Sequence, residues 1–348
     1  MSWKPAVLSN TFHHGRYGDP RRLLELKEAR GATVSLAFPT LNEADTIGKE
    51  ILVLKAELME RFPLVDEIAV IDSGSTDDTR TIAARFGARV FGSRDILKPY
   101  GTFRGKGENL WKSLFVLQGD IIVWIDADIS NIGPKFVYGL LGPLLERPEI
   151  GYVKAFYERP LRSTSGLTPS GGGRVTEILV RPLFSLFYPE LAGLVQPLSG
   201  EYAGRRRLLE RLPFSVGYGV EVGHLIDIYH QHGIESLAQV DLDRRVHRNQ
   251  PVEALSRMSF GILNTFLSRL ERYGEAHLLR KLAAEHIALA ARKGRYSVQP
   301  TAVPMNERPP MVEIPEYAAR FPRPVPAAAA SVGASAAPTP AAEAPPGT

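Results

Sequence analysis

Apolar and polar positions alternate along the first half of the chain in a strand–helix rhythm. TVSLAFP (Thr33–Pro39) is a β-branched, apolar run. From Glu43 to Arg61 the residues Ile47, Ile51, Leu54 and Leu58 recur at helical spacing. EIAVID (Glu67–Asp72) reads as a second strand ending in the turn SGSTDD, with a helix over Thr76–Phe86. ARVFGS is a third strand, and Gly105–Leu117 a helix with Leu110, Leu114 and Leu117 on one face. DIIVWIDAD is a fourth strand, nearly all apolar. Strands without a polar face, alternating with helices, predict an α/β fold around a mostly parallel sheet. From Gly151 on come the strand YVKAFYE, a Gly-rich loop, helices, the strand LAQVDLDRRVH and helical segments from Val252 to Arg292.

The ends differ from this pattern. The stretch to about Arg30 is polar apart from Leu23, Leu24 and Leu26, and reads as an N-terminal extension (1–30). From about Pro322 to Thr348 the chain is Ala/Pro-rich with almost no bulky apolar residue. It cannot offset chain entropy by burial, which predicts a disordered tail (322–348). The 348 residues are 44% hydrophobic and 23% charged, proportions that exclude a wholly disordered chain. Cysteine is absent, which removes disulfides, thiolate nucleophiles, zinc fingers and iron–sulfur clusters. Any metal must then sit on carboxylates, imidazoles or backbone oxygens. A net charge of +4 suits anionic substrates and is too small to argue nucleic acid. No apolar run reaches membrane-spanning length and Met1–Arg22 has no apolar leader core, so the expectation is a cytoplasmic protein without membrane partners.

In a parallel sheet, ligands bind beyond the carboxyl ends of the strands, and there the polar residues gather. Asp126 and Asp128, at i and i+2, leave an extended strand on one side, where both can hold a hard divalent cation; a turn-capping Asp128 is the alternative. Asp72 and Ser73 end the second strand and face a ribose or base on this reading, while Asp77 and Asp78 cap the following helix. Gly105-Lys106-Gly107-Glu108 opens a helix whose N-terminus favours anions, with Lys106 reaching a phosphate or standing solvated. Ser170-Gly171-Gly172-Gly173-Arg174-Val175-Thr176-Glu177 is a second Gly-rich loop before a helix, either a separate anion site with Arg174 as a bidentate fork or a flexible linker. His247 follows the last strand and alone would be an ordinary surface histidine. His230 and His232 carry no metal spacing.

Taken in order, PTLNEADTIG, VIDSGSTDDT, GKGENLW, DADI, GGGRVTE, QPLSGEY, GYGVEVG and VHRN resemble the actinobacterial glucosyl-3-phosphoglycerate synthases and their mannosyl-3-phosphoglycerate relatives. These are retaining glycosyltransferases of the GT-A fold. The resemblance spans about Val34 to Asn249. It implies a nucleotide-sugar core (31–150), an acceptor-binding and helical part (151–300) and a C-terminal extension (301–321). It assigns the nucleotide to Pro39, Leu41, Glu43, Ser73 and Lys106. Asp126 and Asp128 match the metal-binding D-x-D, with His247 as the distant ligand, for Mg²⁺ or alternatively Mn²⁺ or Co²⁺. Gly173, Arg174 and Thr176 match the loop that binds 3-phosphoglycerate; Tyr218, Glu221 and Asn249 match residues near sugar or acceptor. Asp126, Asp128 and Glu221 would be catalytic. The family pattern often reads D-S-D where this chain has Ala127.

The implied reaction transfers a hexosyl group from GDP-mannose, GDP-glucose or UDP-glucose to the 2-hydroxyl of 3-phosphoglycerate with retention, in a homodimer. The thermophile-like composition leans to mannosyl. The rival readings are an inverting GT-A enzyme with a polysaccharide or lipid acceptor, a sugar-1-phosphate nucleotidyltransferase and a non-enzymatic nucleotide-sugar binder. The first lacks its Q-x-x-R-W segment here, and the second its Gly-rich signature after the first strand.

Overall fold

The computed structural model describes residues 6–159, 161–163, 166–168, 173–246, 251–292 and 294–322. Eight strands build the central sheet: β1 (Thr11–His13), β2 (Val34–Thr40), β3 (Glu67–Asp72), β4 (Arg89–Gly92), β5 (Ile121–Trp124), β6 (Tyr152–Glu158), β7 (Tyr202–Arg205) and β8 (Leu237–Arg244). Their order is β1-β8-β6-β7-β5-β2-β3-β4. All pairings are parallel except those of β7, which runs against both β5 and β6. Seven strands therefore end on one edge, and the residues entering β7 lie on that same edge.

Side chains alternate between two cores, one on each face of the sheet. Val34, Leu36, Phe38, Ile121 and Val123 enter one, while Ala37, Ile122 and Trp124 enter the other. Burial on both faces explains why these strands carry no polar alternation. The helices Ile47–Lys55, Thr79–Arg85 and Lys106–Val116 return the chain between strands, as the spacing predicts. The first continues as a wider π-helical turn over Ala56–Arg61.

Three expectations change. The N-terminal residues supply edge strand β1 and the helix Pro20–Ala29, with Leu23 buried against the sheet; their apolar positions are too sparse to reveal this. Strand β5 stops at Trp124, so the two aspartates sit on irregular chain just beyond it. The helix from Val252 ends at Arg272, and Glu285–Arg292 pairs antiparallel with Arg295–Ala302. HIALAAR has good helix formers, but the β-branched and aromatic run opposite it and Gly294 at φ +74° close a hairpin instead. The Ala/Pro-rich tail from 323 on lies outside the described residues. Among the described residues no helix is long and apolar enough to cross a membrane.

The C-terminal segment returns to the core. Glu307–Arg308 pairs with Phe214–Ser215, and Trp111 Nε1 donates to Pro309 O. Arg308 forks onto the fully buried Glu108, with both nitrogens 2.7 Å from its oxygens, and donates to Tyr100 O. Lys112, equally buried, lies 3.3 Å from Glu108 and donates to Ser93 O and Gly101 O. Removing Arg308 takes both of its charge-assisted bonds from the buried Glu108 and leaves it only Lys112. Arg308→Ala should therefore lower stability by about 3–5 kcal/mol, read by urea denaturation, and should open the chain after residue 300 to proteolysis.

Candidate active site

The carboxyl edge opens into one cavity of about 890 Å³. Two loops form its first wall. After β2, Asn42 takes a left-handed conformation (φ 59°). Its Oδ1 accepts from Thr76 N–H, and its N–H donates to Ser75 Oγ, which stitches PTLNEAD to SGSTDD. Pro39, Leu41, Glu43 and Ser73 line the cavity from these loops. Asp72 does not face a ligand. Its carboxylate is used within its own turn, accepting from Gly74 N–H, Ser75 N–H and the Ser75 and Thr40 hydroxyls. Asp77, not Asp78, caps the next helix through the Thr79 N–H and hydroxyl.

At the centre lies a chain of alternating charges. Lys106, the first residue of its helix, is 2.6 Å from Asp126 Oδ1 and 3.0 Å from Glu221 Oε1. Arg245, just past β8, is 2.7 Å from Asp128 Oδ1 and 3.4 Å from Asp126 Oδ2, with its Nε 3.0 Å from Glu201 Oε1. Burial alone would lower the Lys106 pKa, but Asp126 and Glu221 outweigh it and hold the ammonium charged. Burial works against ionised Asp126 too, yet Lys106 and Arg245 pull it down to about 2. Asp128 is pushed up by burial, with Arg245 opposing and Asp126 adding repulsion. Within these ion pairs four carboxylates share two cations. The remaining negative charge and the hard oxygen donors fit a divalent cation such as Mg²⁺ or Mn²⁺.

The structure brings Pro39, Leu41, Glu43, Ser73, Lys106, Asp126, Asp128, Gly173, Arg174, Thr176, Tyr218 and Glu221 to this single cavity. Gly173 takes φ +82° ahead of Arg174, where an L side chain would be strained. Glu221 sits in the first turn of the helix Val220–His232, and Tyr218 is half exposed beside it. His247, Asn249 and the loop residues Ser170, Gly171 and Gly172 lie outside the described residues. Lys106, expected to reach a phosphate, pairs here with the carboxylates of Asp126 and Glu221.

Sequence reasoning gave no role to Glu201 or Arg245, nor to Arg104, Arg159 and Arg257 in the cavity wall. The signal for the first two was a charge beside apolar strand positions, in QPLSGEY and RVHRN. Elsewhere, His13 and His14 meet Asp243 across the β1–β8 pair. Gly15 N–H donates to His13 Nδ1, which leaves the ring proton on Nε2 toward Asp243, a hydrogen-bonded clasp rather than a ligand set.

Residues 35–211 match the family model Glycosyl transferase family 2. The glucosyl-3-phosphoglycerate synthase of Petrotoga mobilis is 58% identical over 318 residues, covering 91% of this chain and 98% of that protein. The crystal structure of mannosyl-3-phosphoglycerate synthase from Rubrobacter xylanophilus superposes with a TM-score of 0.82 at 39% identity, covering 88% of this chain and 98% of that one. Glucosyl-3-phosphoglycerate synthase from Mycobacterium tuberculosis, in complex with Mn²⁺, uridine diphosphate and phosphoglyceric acid, superposes with a TM-score of 0.77 at 39% identity, covering 88% and 99%. The mostly parallel sheet is thus of the GT-A type.

Lys154 adds a pH signature. It is buried beneath the site, donates to Ser199 O at 2.6 Å and lies 4.0 Å from the Tyr202 ring centre. Burial pushes its pKa down to about 7, against the pull of nearby Glu221. The folded pKa is then below the unfolded one, so the native state sheds this proton first and stability rises with pH from about 7 to about 10. Lys154→Met should flatten that rise by up to about 1.4 kcal/mol per pH unit. Urea denaturation of both proteins at neutral and mildly alkaline pH reads the difference.

Proposed function

The chain belongs to glycosyl transferase family 2 and, within it, to the glucosyl- and mannosyl-3-phosphoglycerate synthases. From that premise we propose that it transfers a glucosyl group from a nucleoside-diphosphate glucose to the 2-hydroxyl of 3-phosphoglycerate, with retention of configuration. The observation that carries this reading is the single cavity in which the nucleotide-side loops, the Asp126–Asp128 pair and the Gly173–Thr176 loop all meet. Composition leans to mannosyl, and the Rubrobacter structure carries that name. Glucosyl is favoured because the 58% identical relative bears it over nearly its whole length. The uridine diphosphate in the Mycobacterium structures supports a uridine donor.

The roles proposed are those the family resemblance implies, supported where the residues line the cavity. Pro39, Leu41, Glu43 and Ser73 hold the nucleoside. Asp126 and Asp128, with His247, would hold the divalent cation, which when bound supplies charge neutralisation to the departing diphosphate. Lys106, poised between Asp126 and Glu221, adds a second positive charge on that side. Gly173, Arg174, Thr176 and Asn249 hold the acceptor's phosphate and carboxylate, with Tyr218 near the sugar. Glu221 is clamped by Lys106, which makes it a poor nucleophile. That supports attack by the acceptor hydroxyl on the leaving-group face over a glycosyl-enzyme intermediate.

The test is nucleoside-diphosphate release from UDP-glucose, GDP-glucose and GDP-mannose with Mg²⁺, with and without 3-phosphoglycerate. Release should require 3-phosphoglycerate and be fastest with a glucose donor. Release indifferent to 3-phosphoglycerate overturns the acceptor, and faster turnover of GDP-mannose overturns the sugar. Arg174→Ala should weaken 3-phosphoglycerate by about 2–3 kcal/mol through loss of a charge-assisted pair. The donor KM should stay near its original value; a change confined to the donor would unseat the division of the cavity.

A further inference from the structure

The oxygens that would hold the divalent cation are already held by cations of the chain itself. One nitrogen, Arg245 Nη2, bridges Asp128 Oδ1 at 2.7 Å and Asp126 Oδ2 at 3.4 Å. Lys106 holds the other oxygen of Asp126 at 2.6 Å. Arg245 is 3% exposed and backed by the fully buried Glu201 and the Tyr157 ring. A guanidinium does not deprotonate in proteins, so it cannot make way for a second cation by becoming neutral. It must move, or share its carboxylates against like-charge repulsion.

We propose that Arg245 is a positioning residue that competes with the metal. In the free protein it keeps Asp126 and Asp128 side by side and compensated, and so disfavours binding of a bare divalent cation. It yields these oxygens when the cation arrives with an anionic diphosphate that can receive the guanidinium. Metal and nucleotide then bind with positive coupling, and linkage makes the coupling reciprocal. This proposal rests on the reading of Asp126 and Asp128 as the metal-holding pair.

A merely structural arginine and a competing one predict opposite signs. If Arg245 only organised the ligands, its loss would weaken metal binding; if it competes, its loss tightens it. The experiment titrates Mn²⁺ into the full-length protein and follows free Mn²⁺ by electron paramagnetic resonance, without nucleotide and with UDP or GDP. Arg245→Gln should bind Mn²⁺ at least about fivefold tighter than the parent without nucleotide, as expected from removing a like charge at contact distance. The nucleotide's enhancement of Mn²⁺ affinity should shrink in parallel. Arg245→Lys, which keeps the charge, should stay near the parent. Weaker or unchanged Mn²⁺ binding by Arg245→Gln overturns the proposal. Should that variant not fold, the parent decides: equal Mn²⁺ affinity with and without both nucleotides overturns it. Asp128→Asn separates the two readings. If it binds Mn²⁺ as the parent does, the metal site itself is wrong. If it loses Mn²⁺ while Arg245→Gln gains nothing, the arginine's role alone is wrong.

Discussion

Carboxylates gathered at one buried edge repel one another and resist ionisation unless cations accompany them. Asp126, Asp128, Glu201 and Glu221 are in this position, and the structure supplies Lys106 and Arg245 between them. The six members come from five places in the chain: Asp126 and Asp128 just past β5, Glu201 at the entry to β7, Lys106 and Glu221 at the starts of two helices, and Arg245 just past β8. The charge array therefore depends on the sheet order being right. Within these ion pairs carboxylates outnumber cations by four to two.

The reversed strand is the structural device behind this arrangement. Because β7 runs against β5 and β6, the residues that enter it arrive at the same edge where β5 and β6 leave. Glu201 can then stand beside Asp126. The approach is so close that a Cβ on Gly200 would lie 1.7 Å from Asp126 Oδ2, so a side chain there would dislodge the carboxylate. A similar constraint seats Lys106. A Cβ on Gly107 would come within 1.8 Å of Ser215 O, and one on Gly105 within 2.3 Å of Val216 O. These glycines serve close approach, whereas Gly173 takes a positive φ.

The buried parallel strands were legible because both-faced burial leaves apolar runs with no other soluble explanation. The candidate site was legible where strand ends carried polar residues, as at Asp126, Asp128 and Ser73, and where glycines open a helix, as at Lys106. Asp72 misled, since a strand-end acid that folds back onto its own turn looks the same in sequence as one that faces a ligand. Glu201 and Arg245 escaped a role because their meaning lies in pairing across 44 residues of chain, which no local pattern carries. The edge strand β1 and the hairpin after residue 284 were missed for related reasons. Both are set by partners rather than by their own periodicity.

The balance of charge in the cavity also bears on the acceptor. Its walls hold Arg104, Arg159, Arg174 and Arg257 around the acidic centre. A neutral polysaccharide would bring no charge to these arginines, and their desolvation on closing over it would go uncompensated. A small acceptor with a phosphate and a carboxylate gives the guanidinium forks the planar and tetrahedral oxygens they suit. A nucleoside diphosphate and a divalent cation do the same for the centre. Under the proposed function two anionic substrates can thus share one cavity, because its lining holds both arginines and carboxylates.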